Sequence, residues 1–178
     1  MASRPPELET TLPDGTRVRF RPIGVDDTQL LREGIGRLSE RSRRLRFHSA
    51  VTSLSDAQLR HLVDVDHHDQ EALIADVLLG DEYVGVGVAR YARAAPDDGV
   101  PEFAMVVEDA WQGRGVGRLL LRALFAAARR NGFERLTAEV LAENDRMLRL
   151  LREEAGAVTL RRDGSAFHVT LELPPRQG

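Results

Sequence analysis

The segment Gln112-Gly113-Arg114-Gly115-Val116-Gly117 decides how this sequence is interpreted. It lies between a strand predicted over Glu102–Val107 and a helix predicted over Val116–Arg130. Glycine lets the backbone approach a ligand closely and adopt positive φ, and a helix start offers unpaired N–H groups and the positive end of the helix dipole. The segment therefore predicts a pocket for phosphate oxygens, with Arg114 and Arg118 adding positive charge.

Spacing excludes two other nucleotide-binding patterns. A dinucleotide fingerprint needs G-x-G-x-x-G, but counting from Gly113 or Gly115 places the third glycine on Arg118 or Leu120. A P-loop needs a lysine after its glycine, and the chain contains no lysine. The simpler alternative, a flexible glycine-rich loop, fits poorly with three alternating glycines after a glutamine at a strand-to-helix junction.

The composition is that of an ordinary globular protein. The 178 residues are 42% hydrophobic and 30% charged, which suits one core. No apolar run approaches the roughly 18 residues of a membrane span, and no secretory signal is visible, so we expect a cytoplasmic protein. The net charge of −3 gives no global reason to bind nucleic acid or a membrane. The absence of cysteine excludes thiolate metal sites and a cysteine acyl-enzyme.

Periodicity and turn residues predict one α/β domain of the α+β type over residues 13–175, preceded by a disordered tail over residues 1–12. Because short turns join several strands, the predicted central sheet is mixed and mostly antiparallel, with six to seven strands flanked by helices. Helices are predicted to begin near Asp26 or Asp27, at Ser39, at Ser55 or Asp56, at Val116 and at Asn144. Residues 94–99 and His67-His68-Asp69 are predicted to be loops, and we expect no metal site.

The segment at residues 112–117 resembles the Q/R-x-x-G-x-G/A motif of the GNAT acetyltransferase superfamily. The resemblance implies the GNAT fold, whose sheet splays between its fourth and fifth strands, and acetyl-CoA as cosubstrate. It implies that the amides of this segment hold the CoA pyrophosphate. Met105, Val106 and Val107 would pair their backbone with the pantetheine arm, and a bulged amide there would polarise the thioester carbonyl. Asn144 matches the family asparagine near the pantetheine.

Further segments, spread over nearly the whole chain, look like the catalytic domain of Pat-type bacterial protein lysine acetyltransferases. This resemblance implies transfer of acetyl to a protein lysine, with acetyl-CoA synthetase as the suggested substrate. The segments that carry it are Asp14-Gly15-Thr16, Arg21-Pro22-Ile23, Ser39-Glu40-Arg41-Ser42, Leu45-Arg46-Phe47 and Val140-Leu141-Ala142-Glu143-Asn144 with Met147.

Glu102 is the candidate general base. An attacking lysine must lose a proton, and its ammonium has an unperturbed pKa near 10.4. Strand alternation places Glu102 on a face with Ala104 and Val106, where partial burial would make it a better base. By resemblance, Pat-type enzymes place their catalytic glutamate here. The alternatives are a surface glutamate at a strand end, or catalysis by Glu108 or by Glu139, which could face the acceptor.

Two further positions bear on the acceptor and the leaving group. Many GNAT enzymes protonate the leaving thiolate with a tyrosine at the position occupied here by Leu151, so water supplies the proton or the thiolate leaves unaided. The arginines of the second predicted helix, among them Arg41 and Arg46, are interpreted as a solvated basic face. A docking surface for an acidic partner or for the CoA 3′-phosphate is the second interpretation.

The leading hypothesis is therefore an acetyl-CoA-dependent N-acetyltransferase that modifies a protein lysine by direct attack in a ternary complex, with Glu102 as base. A small-molecule amine acetyltransferase is the second hypothesis. A non-catalytic module that senses acyl-CoA is the third.

Overall fold

The computed structural model describes residues 5–49, 51–94 and 99–175. Its described part forms an eight-stranded sheet in the order β1-β2-β3-β4-β5-β6-β8-β7, with helices packed on both faces. The strands are β1 (Leu8–Thr11), β2 (Arg17–Pro22), β3 (Gln70–Leu79), β4 (Glu82–Ala92), β5 (Glu102–Val107), β6 (Arg135–Leu141), β7 (Ala157–Asp163) and β8 (Ala166–Glu172). The helices are α1 (Thr28–Arg37), α2 (Glu40–Phe47), α3 (Asp56–Val63), α4 (Val116–Arg130) and α5 (Asp145–Glu154).

Strand β3 is buried on both faces, which explains its continuous apolar run. Leu73, Ala75 and Val77 belong to the core that α4 and α5 cover. Ala72 and Ile74 belong to a second, smaller core beneath α1 and α3. A strand covered by helices on both sides loses the polar alternation of a half-exposed strand, so the sequence reads as apolar throughout.

The splay of the sheet lies between β5 and β6. Among the described strands these two are the parallel pair, and they are joined at a single position, Glu102 opposite Thr137. Helix α4 connects them, and such a crossover returns the chain parallel to its starting strand. Beyond Glu102 the two strands diverge, which confirms the predicted splay. It falls between the fifth and sixth strands because one strand precedes those that were predicted.

That additional strand corrects the expected disordered tail over residues 1–12. β1 pairs antiparallel with β2, from Leu8 opposite Phe20 to Thr11 opposite Arg17. The turn at Gly15, where φ is +87°, folds the chain back onto β2. All four β1 residues are exposed, and an edge strand without a buried face shows no hydrophobic alternation. Residues 1–4 lie outside the described part of the chain.

Polar residues cap the helices at several predicted positions. The Ser39 side chain accepts a hydrogen bond from the Ser42 N–H at the start of α2. Ser55 and Gln58 form a capping box at the start of α3. Asp27 is the N-cap residue of α1, as predicted, but its side chain does not cap that helix. Its carboxylate instead accepts from the Gly24 N–H at 2.7 Å, across a short 3-10 turn that ends at Asp27.

Two loop predictions have different outcomes. His67-His68-Asp69 forms a loop, in which His67 adopts a φ of +59° and its Nδ1 lies 2.9 Å from Glu71. The predicted loop at residues 94–99 includes residues 95–98, which lie outside the described ranges. Within those ranges, no three histidine, aspartate or glutamate side chains cluster as possible metal ligands. No helix in the described part is both long and apolar enough to cross a membrane.

Candidate active site

A cleft of about 720 Å³ opens where β5 and β6 diverge. It is lined by β5, by the glycine segment, by β6 and by parts of α2 and α5. Most of the predicted site residues line it: Met105, Val106, Val107, Gln112, Gly113, Gly115, Gly117, Arg118 and Asn144. Glu102, Arg114 and Val116 are not among its lining residues. Val116 is fully buried in the core instead.

The backbone groups of β5 alternate between its two neighbouring strands. The Thr137 N–H donates to the Pro101 carbonyl at 2.9 Å, so odd-numbered residues direct their N–H and C=O groups toward β6. The Glu108 N–H donates to the Val86 carbonyl at 2.8 Å, so even-numbered residues face β4. Where β6 has moved away, the odd-numbered backbone groups face the cleft.

Met105 and Val107 are the β5 residues whose backbone faces this gap. Val106 differs from the prediction, because its backbone faces β4 in register with Val88 and only its side chain is available to the cleft. The expected bulge in β5 is also absent from the described strands, since β5 pairs with β4 without a register shift. The irregularity lies between β3 and β4, next to Ala75 and Asp76. The splay alone therefore exposes the β5 amides.

The glycine segment adopts a backbone that only glycine tolerates well. Gly113 has φ of +75° and Gly115 has φ of +100°. Gly115 is the N-cap of α4 and has no side chain to cap it, and the helical ladder begins with the Leu119 N–H donating to the Gly115 carbonyl. The first N–H groups of α4 thus have no partner within the helix. Gly117 is helical, and a Cβ there would lie an ordinary 3.6 Å from Val107.

Gln112 joins three elements around the cleft. Its Nε2 donates to the Val107 carbonyl of β5 at 2.9 Å and to the Ser42 Oγ of α2 at 3.2 Å. Its Oε1 accepts from the Arg146 Nη1 of α5 at 2.9 Å. The predicted glutamine is therefore a structural crosslink, and both the nitrogen and the oxygen of its side-chain amide are hydrogen-bonded within the protein.

Both arginines of the glycine segment differ from the prediction. The Arg114 side chain turns away from the cleft, binds the Asp14 carboxylate at 2.6 Å and lies 4.0 Å above the Trp111 ring. Hydrogen bonds from Thr16 and Arg114 lower the pKa of Asp14 to about 2. Arg118 does line the cleft, but it forms ion pairs with Glu153 and with the buried Glu154. The first helical N–H groups, rather than these side chains, are the unpaired donors here.

Asn144 is the N-cap of α5. Its Oδ1 accepts a hydrogen bond from the Met147 N–H at 3.2 Å, which satisfies one of the open donors at the helix start. Asn144 also lines the cleft. Further along α5, Leu151 is fully buried in the core. The position where many GNAT enzymes carry a tyrosine hydroxyl is therefore occupied here by an apolar side chain.

Helix α2 is fastened to the turn that precedes the glycine segment. The Asp109 carboxylate accepts from the Ser39 N–H at 3.0 Å, the Ser39 hydroxyl at 2.7 Å and the Ser42 hydroxyl at 2.8 Å. Partial burial opposes ionisation, but these hydrogen bonds prevail and lower the pKa of Asp109. The anchored helix contributes Arg41 and Arg46, which the sequence analysis interpreted first as a solvated basic face, and three lining residues that it missed: Ser42, Leu45 and His48.

Glu102 and Glu139 lie on the same face of the sheet, at the point where β5 and β6 separate. Glu102 is exposed, which corrects the expected partial burial. Within the described ranges its carboxylate has no hydrogen-bond or ion-pair partner. Glu139 lines the cleft, but its Oε1 is bonded to the His168 Nδ1 at 2.8 Å. The third candidate, Glu108, is ion-paired with Arg37 at 2.7 Å.

Comparisons with known proteins agree with this arrangement. The sequence profile of the Acetyltransferase (GNAT) family matches residues 38–157. Acetyltransferase PA5475 of Pseudomonas aeruginosa is 36% identical over 137 residues, which are 77% of this chain and 73% of that protein. Acetyltransferase Pat of Mycolicibacterium smegmatis is 30% identical over 157 residues, covering 88% of this chain and 46% of that protein. The chain thus spans about half the length of the second relative.

Solved structures show the same fold. The GNAT domain of PAT from S. lividans superposes with a TM-score of 0.82 at 30% identity, covering 94% of this chain and 97% of that one. The protein yncA of Salmonella typhimurium, solved with its cofactor acetyl-CoA, superposes with a TM-score of 0.65 at 19% identity. That match covers 90% of this chain and 96% of the other, and at this identity it concerns the fold alone.

Proposed function

The chain belongs to the GNAT acetyltransferase family and is an N-acetyltransferase, and from this premise we propose that it acetylates a lysine side chain of a protein. The observation that carries the proposal is the open backbone of β5 in the splay, followed directly by the uncapped start of α4. The choice of a protein lysine rests on the similarity to two proteins named Pat. Acetyl-CoA synthetase is the acceptor to test first.

Acetyl-CoA fits the cleft as cosubstrate. The N–H groups of residues 113–118 supply donors for the pyrophosphate, where the helix dipole adds favourable potential. The backbones of Met105 and Val107 pair with the pantetheine amides, as a strand does at an open sheet edge. The Met105 N–H is our candidate donor to the thioester oxygen, where negative charge develops during attack. Asn144 lies on the opposite side of the same cleft.

Glu102 acts as the general base. Its carboxylate is free of partners within the described ranges, whereas those of Glu139 and Glu108 are engaged. The lysine ammonium gives a proton to Glu102, and the resulting amine attacks the carbonyl carbon of the thioester. A C–N bond forms and the C–S bond breaks, the nitrogen releases its second proton to water, and CoA leaves as a thiolate. Because Leu151 is buried and apolar, water protonates that thiolate.

The test is transfer of labelled acetyl from acetyl-CoA to purified acetyl-CoA synthetase, followed by mass-spectrometric mapping of the modified residues. We expect label on lysine side chains, and none on an acceptor whose lysines have been reductively methylated beforehand. The enzyme contains no lysine, so lysine label on this chain cannot confuse the result. Transfer to polyamines or aminoglycosides without transfer to any protein would contradict the proposal. Binding of acetyl-CoA without any transfer would contradict it as well.

A further inference from the structure

Two arginines border a second cavity beside the cleft. Arg46 of α2 and Arg90 of β4 line this cavity, which lies between α1, α2 and the sheet and also includes Ala104 and Val106. Arg46 lines the cleft as well, so it borders both spaces. Arg90 is in register with Ala104, two residues from Glu102 on the same face of β5. The arginine pair therefore lies on the acceptor side of the sheet, next to the candidate base.

Neither arginine has an ion-pair partner within 4.0 Å among the residues that the structure describes. The Arg46 guanidinium lies 4.9 Å from the Phe47 ring centroid, and the Arg90 Nη1 donates one hydrogen bond to the Leu62 carbonyl at 3.3 Å. A guanidinium has five N–H donors, so most of the donors of both groups lack a protein acceptor. Arg21, which is also half-buried, differs in being paired with Asp27 and Asp76.

The electrostatics of the pair are those of a site that lacks an anion. Burial, and then the neighbouring Arg90, lower the pKa of Arg46 to about 10, while Glu102 raises it. Burial also lowers the pKa of Arg90. Both groups remain protonated at neutral pH, and both side chains are half-buried, so water compensates only part of the cost of leaving each charge unpaired. A carboxylate that entered the cavity would offset this cost by accepting charge-assisted hydrogen bonds from both guanidinium groups.

We propose that Arg46 and Arg90 bind the carboxylate of an aspartate or glutamate that neighbours the target lysine in the acceptor protein. This inference rests on the proposed lysine acetylation. A phosphate of CoA is a poorer occupant for Arg90, because the uncapped start of α4 lies on the opposite face of the sheet, with the core that contains Met105 and Val107. The pair therefore acts in the choice of acceptor rather than in binding the cosubstrate.

Matched peptides test this proposal. One series carries a single lysine with aspartate placed in turn at each position from three residues before it to three residues after it. A second series carries asparagine at the same positions. At saturating acetyl-CoA we expect kcat/KM to be about tenfold higher for aspartate than for asparagine at one or two positions, a ratio typical of a charge-assisted contact. The difference should appear mainly in KM for the peptide.

Substitutions then assign the preference. Arg90→Gln is expected to reduce the aspartate-to-asparagine ratio to about one, and Arg46→Lys to lower it partially, since lysine keeps the charge but loses the planar fork. Arg60→Gln removes an exposed arginine of α3 and should keep the full ratio. The ratio compares two substrates of the same protein sample, so partial unfolding of a variant does not change it.

Several outcomes would overturn the inference. Equal rates for aspartate and asparagine peptides at every position would do so, as would a ratio that survives Arg90→Gln. A rise in the acetyl-CoA Kd upon Arg90→Gln would indicate a phosphate site instead. Faster acetylation of free amino acids than of any peptide would assign the arginines to an α-carboxylate. If lysine peptides are acetylated regardless of their neighbours, only this inference fails. If neither the lysine peptides nor acetyl-CoA synthetase are acetylated, the proposed function fails.

Discussion

The two sides of the splayed sheet present different kinds of chemical group. On the cosubstrate side, the groups that face the cleft are backbone amides of β5 and of the glycine segment, placed by positive φ at Gly113 and Gly115. On the acceptor side the available groups are side chains of separate elements: Arg46 of α2, Arg90 of β4 and Glu102 of β5, of which Arg46 alone also lines the cleft. Most substitutions leave backbone groups in place, so a site made of backbone keeps the same cosubstrate when the sequence changes. A site made of long side chains can change its acceptor through single substitutions.

The largest expected effect is a loss of turnover, caused by a substitution on the acceptor side, with no change in cosubstrate affinity. Glu102→Gln should lower kcat by about 10²–10⁴, the usual contribution of a general base. The Kd for acetyl-CoA should not change, because Glu102 does not line the cleft. Steady-state kinetics and calorimetry measure the two quantities. The control is Glu139→Gln, which we expect to retain most of the activity, and a larger loss there would make Glu139 the base.

The second prediction tests whether the glycine backbone itself binds the cosubstrate. A Cβ at Gly113 or at Gly164 would meet no atom within 4 Å, and both residues have positive φ, +75° and +56°. Alanine at either site should therefore lower the free energy of unfolding by a similar amount, about 1–2 kcal/mol. Only Gly113→Ala should also weaken acetyl-CoA binding, by about tenfold. Equal acetyl-CoA affinity in the two variants would argue against a backbone cradle.

The third prediction concerns the cap that also lines the cleft. Asn144→Ala and Ser55→Ala each remove the side-chain cap of a helix, and each should lower the free energy of unfolding by about 1 kcal/mol. Urea denaturation measures that loss. A weaker affinity for acetyl-CoA is expected in Asn144→Ala alone, because Ser55 caps α3 outside the cleft. A parallel loss of affinity in Ser55→Ala would mean that stability rather than contact controls binding.

The smallest effect concerns the acid dependence of the anchor that holds α2. Because the folded pKa of Asp109 is lowered from 3.8, its stabilisation is present above that value and is lost as pH falls through the folded pKa. Asp109→Asn should therefore lower the free energy of unfolding at pH 6, by less than about 1 kcal/mol because the group is exposed. Below pH 4 the free energy of unfolding of the variant should fall less steeply than that of the unsubstituted protein. Denaturation series at several pH values, with Asp163→Asn as an exposed control, measure the effect. An unchanged acid decline would show that the anchor contributes nothing.

The sequence alone predicted the strand, glycine turn and helix of residues 102–130 closely, because their determinants are contiguous. Glycine spacing, the strand before it and the helix after it lie within residues 102–130, so local rules apply directly. The two arginines expected to add charge there have ion-pair partners that the sequence did not indicate. Arg114 pairs with Asp14, one hundred residues earlier in the chain, and the partner of Arg118 lies on α5. Such pairings depend on tertiary structure, which periodicity does not encode.

The acceptor side was harder to predict for the same reason. Arg41, Leu45 and His48 are spaced i, i+4 and i+7, which indicates one face of a helix, but nothing in the sequence shows that this face meets the splay. Arg90 lies in a strand where no local pattern distinguishes it. β1 escaped prediction because it buries no face. The cytoplasmic location, the absence of a metal and the single domain over residues 13–175 stay predictions.

The three hydrogen bonds of Gln112 have a consequence for the thermodynamics of binding. They join β5, α2 and α5 in the protein alone, so the arriving cosubstrate does not have to assemble these elements. Rigid surroundings reduce the conformational entropy that is lost on association. Affinity then depends mainly on the hydrogen bonds and apolar burial that the cosubstrate makes in the cleft, and on the rotational and translational freedom that this flexible molecule gives up.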